Sequence, residues 1–425
     1  MNLYTLLGIG FVIYVAVSFF KALGKRLPIL ELMLLIAGLQ WIIGPFIEYN
    51  ADYHDPKYYM YVNQETYMSF IAPAYGVFTI CIVMITRRYS INIQDILDFK
   101  KYSNYGVTIL FVGISFELLG FILPGALGFL VFLMAGFKYV GAIILYFSDQ
   151  RIHRYIFYGS IAFLMFMALK KALFHDFILW STFFYMFYAI KSKPSPRIKL
   201  FTMIAGFVML TIIQAVKSDY RELLKSGSDV NFIELFFGTV NQKYESGYLD
   251  EEEETAALNV RLNQGWIISA VMDHVPRNLA FADGETVKEA VVASLVPRFL
   301  NPNKKEAGGQ DNFEKYTGLS LSEEASMGLS IIGEFYANFG VRSGIVAIGV
   351  WGLFLAFIWR RLVSNTYKVP LLIFFLPLIF LQVVKAETEL VVVLNHLIKS
   401  IIAVSLFFWL TKKYLKWQIF AEFDR

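Results

Sequence analysis

The feature that most constrains this chain is a succession of apolar runs, each close to the length of a bilayer crossing, broken by one long polar interruption. A lipid interior offers no water to unpaired backbone groups, so such runs fold as helices that satisfy their amides internally. The predicted spans are 3–20, 27–47, 70–85, 107–122, 127–147, 155–169, 177–190, 198–216, 341–359, 369–384 and 390–410, about 11 in all. Composition agrees, with 57% of residues hydrophobic and 17% charged, the latter well below the share usual in soluble domains. The first run passes directly into Lys21, Lys25 and Arg26 without the small-residue cleavage pattern of a removed signal peptide, so it is expected to stay as the first span.

Charge orients the bundle. One set of connections and the tail carries 19 basic residues, from Lys21, Lys25 and Arg26 through Arg87, Arg88, Arg151, Arg154, Lys191 and Arg360 to Lys412, Lys413 and Lys416. The alternate set has only Lys57, Lys170, Lys171 and Lys385. By the positive-inside rule the first set is cytoplasmic, which puts the N-terminus outside, the C-terminus inside and the polar interruption outside. From Lys217 to Ser330 there are 11 basic and 19 acidic residues, so this stretch is net −8 and the rest of the chain, which totals +4, is net +12. The fold class is therefore an all-α polytopic membrane protein. Its expected parts are an N-terminal transmembrane bundle (1–216), an extracytoplasmic loop with short helices (217–340), and C-terminal spans with a cytoplasmic tail (341–425).

An interruption of over 100 residues is better explained as functional than as filler. Thr286 and Glu289 have the spacing of a capping box, which predicts a helix over 287–295, and a second helix is predicted over 258–274, ending before Pro276. The acidic run 250–254 reads as a solvated tip. The lone Cys81 excludes an internal disulfide and a cysteine-based zinc site. In the connection after the second span, Tyr53, Tyr58, Tyr59 and Tyr61 either line a carbohydrate or sit in the membrane interface.

Four groups of residues carry the chemistry a boundary site would need. Gln214, Lys217 and Arg221 share a helical face beside Tyr220; two cations and an amide suit a diphosphate, although snorkelling basic residues at a span end look the same. Arg261, Gln264, Asp273, His274 and Arg277 form the second group, with His274 open to a surface, capping or catalytic role. In the third, Pro297 and Pro302 stiffen the backbone around Arg298 and Lys304, and rigid arginines suit bidentate phosphate binding. In the fourth, Glu334 and Asn338 share a helical face just before a span; the carboxylate is either a general base or half of an ion pair. Glu117, Lys138 and Lys399 fall inside predicted spans and should find partners in the bundle interior. Phosphate-loop, dinucleotide, zinc-peptidase and serine-hydrolase signatures are missing from the sequence.

Lys-x-x-Tyr-Arg at 217–221, Val-Pro-Arg-Phe-Leu-x-Pro-x-Lys at 296–304 and Gly-Glu-Phe-Tyr-x-Asn-Phe-Gly at 333–340, within a long loop late in a many-span chain, resemble bacterial O-antigen polymerases, the Wzy-type repeat-unit polymerases. The resemblance implies a GT-C-type glycosyltransferase of the bacterial inner membrane. Such an enzyme joins oligosaccharide repeat units carried on undecaprenyl diphosphate at the outer face, with no metal and no cofactor. Lys217, Arg221, Arg298 and Lys304 would hold the diphosphate, joined on charge and position by Arg261 and Arg277. Glu334, Arg298 and His274 would be catalytic, with Asp273 a further candidate base. Gln214, Tyr220, Tyr336 and Asn338 would face sugar. The expected partners are the lipid-linked oligosaccharide, membrane lipid, and the chain-length regulator and flippase of the same pathway, with no nucleic acid. An O-antigen ligase or another lipid-linked-glycan transferase is the alternative, and a transporter, flippase or membrane scaffold stands further off. For the topology, alkaline phosphatase fused after Glu254 should be active; an inactive fusion would invert the orientation.

Overall fold

The computed structural model describes residues 2–86, 103–124, 127–171, 174–225, 232–245, 259, 262–296, 309–321 and 326–418. Every regular element among these residues is a helix. In order they are α1 (Leu3–Ala22), then α2 (Ile29–Gly38), which runs through a π-helical turn (Leu39–Ile43) into α3 (Gly44–Tyr49). Next come α4 (Gln64–Thr86), α5 (Ser103–Leu119), α6 (Gly128–Ala135), α7 (Phe137–Tyr146), α8 (Arg151–Lys171), α9 (Phe174–Ser192) and α10 (Pro196–Lys225). The short helices α11 (Phe232–Glu245), α12 (Gly265–His274), α13 (Glu285–Leu295) and α14 (Gln310–Thr317) follow. The chain closes with α15 (Ser330–Thr366), a 3-10 segment (Pro370–Phe375), α16 (Leu376–Ile379) and α17 (Leu390–Tyr414).

Among the described residues eight helices are long and apolar enough to cross a membrane, and α5 and the segment Pro370–Ile379 are shorter apolar helices. The chain is thus a polytopic, all-helical membrane protein. Two predicted boundaries move. The run 369–384 is no continuous helix, because Pro370 and Pro377 remove amide donors; a 3-10 segment and one α-turn fill 370–379 and residues 380–389 turn back. The helix predicted over 258–274 is interrupted: Asn259 and Leu262 are helical, the pattern breaks at Asn263 and Gln264, and α12 runs from Gly265 to His274.

Small residues set the spacing of the spans. A Cβ at Gly141 of α7 would lie 2.4 Å from the Leu110 nitrogen of α5, so this pair packs nearly backbone to backbone, and one at Gly349 of α15 would lie 2.8 Å from the Val77 side chain of α4. Charges inside the bundle are paired, as the cost of burying them demands. Lys138 Nζ sits 2.8 Å from Glu117 Oε2 and 4.5 Å from the Tyr139 ring centre, and Lys399 lies 4.8 Å from that of Phe129. At the end where α1, α7 and α9 finish, basic residues hold helix termini. Lys191 Nζ donates to the Tyr146 carbonyl, Lys199 Nζ to that of Leu23, and Arg26 pairs with Glu31 at 2.5 Å.

The other end carries the cap helices α12 to α14 and the first turns of α15. The join is a break in α15 at Gly340, whose φ of 67° and ψ of −161° end one helix and start another. The carbonyls this break exposes, Ala337 and Asn338, accept from the Ala282 and Asp283 amides at 3.0 and 3.1 Å. A side chain at Gly340 would have to adopt the left-handed backbone and would meet the Phe281 ring at 2.9 Å. Gly340→Ala should therefore cost at least about 1 kcal/mol. Its unfolding midpoint in detergent should fall below that of the wild type; an unchanged midpoint would mean the break does not hold the cap.

Candidate functional site

The cap is pinned by Glu334, which is 1% exposed. Its Oε1 accepts from the Thr286 hydroxyl of α13 at 2.7 Å, and its Oε2 accepts from the Leu390 amide, the first of α17, at 2.9 Å. Asn338, one turn on, donates from Nδ2 to Thr286 Oγ1 at 2.7 Å and to the Glu334 carbonyl at 2.8 Å, while its Oδ1 accepts from the Gly284 amide at 3.1 Å. The spacing of four does put Glu334 and Asn338 on one face, and that face looks inward at α13 and α17. The capping box expected of Thr286 and Glu289 does not form. Gly284, at φ 89°, occupies the N-cap position, which leaves Thr286 two residues past the cap with its hydroxyl donated to the buried carboxylate.

A second polar group lies where the turn 380–389 meets the spans. His175, at the start of α9, contacts Glu387 Oε1 through Nδ1 at 3.0 Å, and Gln40 Nε2, from the π-helical turn, donates to Glu387 Oε2 at 3.3 Å. Beside them Lys385 Nζ pairs with Asp176 Oδ1 at 3.1 Å, and the buried Glu389 accepts from Asn312 Nδ2 of α14 at 3.3 Å. Desolvation would raise the Glu387 carboxyl, but the His175 hydrogen bond and charge, the Gln40 amide and Lys385 outweigh it and hold the group at about 2. Ser330, in the left-handed region at φ 64°, donates its hydroxyl to the Ala386 carbonyl at 2.5 Å and so fixes the same turn. A Cβ at Gly328 would come within 2.8 Å of the Glu387 carbonyl, so only glycine lets the 326–329 stretch lie this close.

Third, a cleft of about 360 Å³ opens between α3 and the connection that follows it, lined by Glu48, Tyr49, His54, Asp55, Pro56, Tyr59 and Met60. Glu48, 1% exposed, accepts from Asn259 Nδ2 at 2.8 Å and lies 3.0 Å from His54 Nδ1. Tyr59 and Tyr61 stack with ring centres 4.5 Å apart, and burial together with Tyr59 pushes the Tyr61 phenol up to about 12. The carboxamide oxygens of Gln40, Asn259, Asn263 and Gln264 are buried with no hydrogen-bond partner among the described residues. These acceptors concentrate where the π-helical turn meets the start of α12, which is joined by the Gln264 amide donating to the Gln40 carbonyl at 3.1 Å.

The predicted site residues divide. Tyr336 is buried between Phe70 and Phe281, with ring centres at 5.1 and 6.2 Å, and Tyr220 is fully buried with its hydroxyl donated to the Leu169 carbonyl at 2.8 Å. His274 lies against Gly318 and within 3.2 Å of Asn278 Nδ2, and Arg277, largely exposed, pairs with Asp273 at 3.5 Å. Gln214, Lys217 and Arg221 lie on α10. Arg261, Arg298 and Lys304 lie outside the described residues. Gln40, Glu48, His54, His175 and Glu387 were not among the predicted site residues. Their signals were present as an amide inside an apolar run and as the charged strip Lys385, Glu387 and Glu389 between two spans. Among the described residues no three His, Cys, Asp or Glu side chains group as a metal site would require.

Two of the motif-bearing stretches, far apart in sequence, come to this end of the bundle. α10 packs through Tyr220 against Phe174, with ring centres 6.1 Å apart, next to His175. The 333–340 stretch meets the first amide of α17 through Glu334. Gly309 packs so that a Cβ there would lie 2.6 Å from the Met327 carbonyl and 3.3 Å from Glu389 Oε1.

The Glu334 network is expected to behave as one unit. Thr286→Val and Glu334→Gln should each lose about 1–3 kcal/mol of stability in detergent. The double variant should lose less than their sum by on the order of 1 kcal/mol; strict additivity would mean the two side chains do not interact.

No protein-family model, curated protein or solved structure matches this chain.

Proposed function

We propose that this chain is a membrane glycosyltransferase that polymerises oligosaccharide repeat units carried on undecaprenyl diphosphate, at the outer face of the bacterial inner membrane. About 11 spans, an outward N-terminus and a cytoplasmic C-terminus complete the reading. The observation that supports it most is that two motif-bearing stretches approach one end of the bundle, Tyr220 packing on Phe174 beside His175 and Glu334 accepting from the first amide of α17. Motifs that merely decorated a loop would have no reason to gather.

In the proposed reaction a hydroxyl of the incoming lipid-linked unit attacks the anomeric carbon of the growing chain, and undecaprenyl diphosphate leaves. Charge grows on the departing diphosphate, so cations fixed beside it stabilise the transition state more than the ground state. Lys217, Arg221, Arg298 and Lys304 are the groups assigned to that task, with Arg261 and Arg277 in support. The apolar spans hold the polyprenyl tail, while the cap covers the sugars and limits water, which competes as acceptor. The cleft lined by Tyr49, Tyr59, Glu48 and His54 has the aromatic and hydrogen-bonding character that suits a saccharide.

The test is a gel of surface polysaccharide from cells lacking the chain, complemented with wild type or Arg298→Ala at matched membrane levels. Single repeat units on the lipid core in the null, a ladder restored by wild type, and at least about a tenfold loss of polymer with Arg298→Ala are expected, the last equal to roughly 1.4 kcal/mol of transition-state stabilisation. Full-length polymer unattached to the core would favour a ligase, and an unchanged ladder would favour a transporter or scaffold.

A further inference from the structure

We propose that His175, oriented by Glu387, is the general base that takes the proton from the attacking hydroxyl. The inference rests on the glycosyl-transfer reading and adds a catalytic pair to it. An ionised carboxylate can only accept hydrogen bonds, so when His175 is neutral the Glu387 Oε1 atom 3.0 Å from its Nδ1 favours the hydrogen on Nδ1 and the lone pair on Nε2. Gln40 engages the other carboxylate oxygen at 3.3 Å, so Glu387 is held from two sides, and the His175 side chain is 40% exposed. A carboxylate that fixes the tautomer and stabilises the imidazolium formed on proton uptake is what a histidine base needs.

Position argues the same way. His175 adjoins Phe174, against which α10 packs, and α10 carries Lys217 and Arg221. Glu387 is two residues before the buried Glu389, which accepts from Asn312 of the cap helix α14. The pair therefore lies where α9 and the turn before α17 meet the cap. Gln40 sits in a π-helical turn, a distortion that is rare and frequently found at functional sites, and its amide oxygen is buried without a partner. Glu334, the base expected from sequence, has both oxygens committed inside the cap.

The step balances. The acceptor oxygen bonds to the anomeric carbon as its proton moves to His175 Nε2, the bond from that carbon to the diphosphate oxygen breaks, and the electron pair departs on undecaprenyl diphosphate. The imidazolium then returns the proton to water. Read as structure alone, His175–Glu387 and Asp176–Lys385 would be two rungs of a clamp tying the 380–389 turn to α9, and the test must separate that role from catalysis.

Purified protein would be given lipid-linked repeat unit extracted from cells lacking the chain, and product followed by gel. His175→Ala should lower turnover at least about a hundredfold, with the KM for the lipid-linked unit within about twofold, and added imidazole should restore part of the loss. Asp176→Asn, which breaks the neighbouring rung, should keep turnover within about threefold. If His175→Ala loses its cooperative unfolding transition, His175→Gln, which retains a bond to the carboxylate, replaces it and should show the same loss. A wild-type protein that fails to lengthen the glycan overturns the polymerase reading and this proposal with it. A working wild type with a His175 variant within threefold of it, or a loss that imidazole does not touch or that Asp176→Asn reproduces, leaves the polymerase reading standing and overturns the base.

Discussion

A buried carboxylate holds the two layers of this molecule together. Glu334 is sealed from solvent, and burying its charge unpaired would cost several kcal/mol. It is tolerated because the first amide of α17 and the Thr286 hydroxyl point at it, and because the start of a helix is the place where a negative charge is most at home. The bond runs both ways. Without the carboxylate, the last span would begin with an unmet amide, and α13 would lose its anchor to α15.

The surrounding sequence becomes intelligible from that contact. Asn338 ties the same node to the turn at Gly284, Gly340 breaks the helix so that its terminal carbonyls meet the Ala282 and Asp283 amides, and the Ser330 hydroxyl reaches the turn 380–389. The stretch Gly333–Gly340 is thus architecture first. Its acidic residue cannot take a proton from an incoming hydroxyl without giving up the bonds that hold the cap, which is why the base has to be sought on a more open group.

What the sequence made legible was whatever depends on neighbours along the chain. Apolar runs marked the spans, although Pro370 and Pro377 break a run that was expected to be continuous, and the cost of burying charge foretold that Glu117 and Lys138 would be partnered. Spacing foretold the shared face of Glu334 and Asn338 but not where that face points. The Thr286 capping box failed for the same reason: local spacing marked Thr286 as the N-cap, whereas the helix starts from Gly284 and the Thr286 hydroxyl donates to a carboxylate 48 residues away. The meeting of Gln40, His175 and Glu387 was out of reach, since three short polar signals in separate connections have no periodicity to join them. Tyr220 and Tyr336 looked like ligand-facing aromatics because a tyrosine at a boundary reads the same whether its ring is sealed in the core or open to solvent.

Electrostatics bears on how such a site would turn over. The stretch Lys217–Ser330 is net −8, so its overall field opposes an anionic diphosphate rather than drawing it in. On the proposed reading, binding must then come from a few local cations at short range and from the polyprenyl tail in the membrane, both insensitive to the screened field of the cap. An acidic surround has a use at the end of the cycle. Once the glycosidic bond has formed, the diphosphate carries more charge than it did in the donor, repulsion from the cap grows with that charge, and product leaves a site whose cations alone would have retained it.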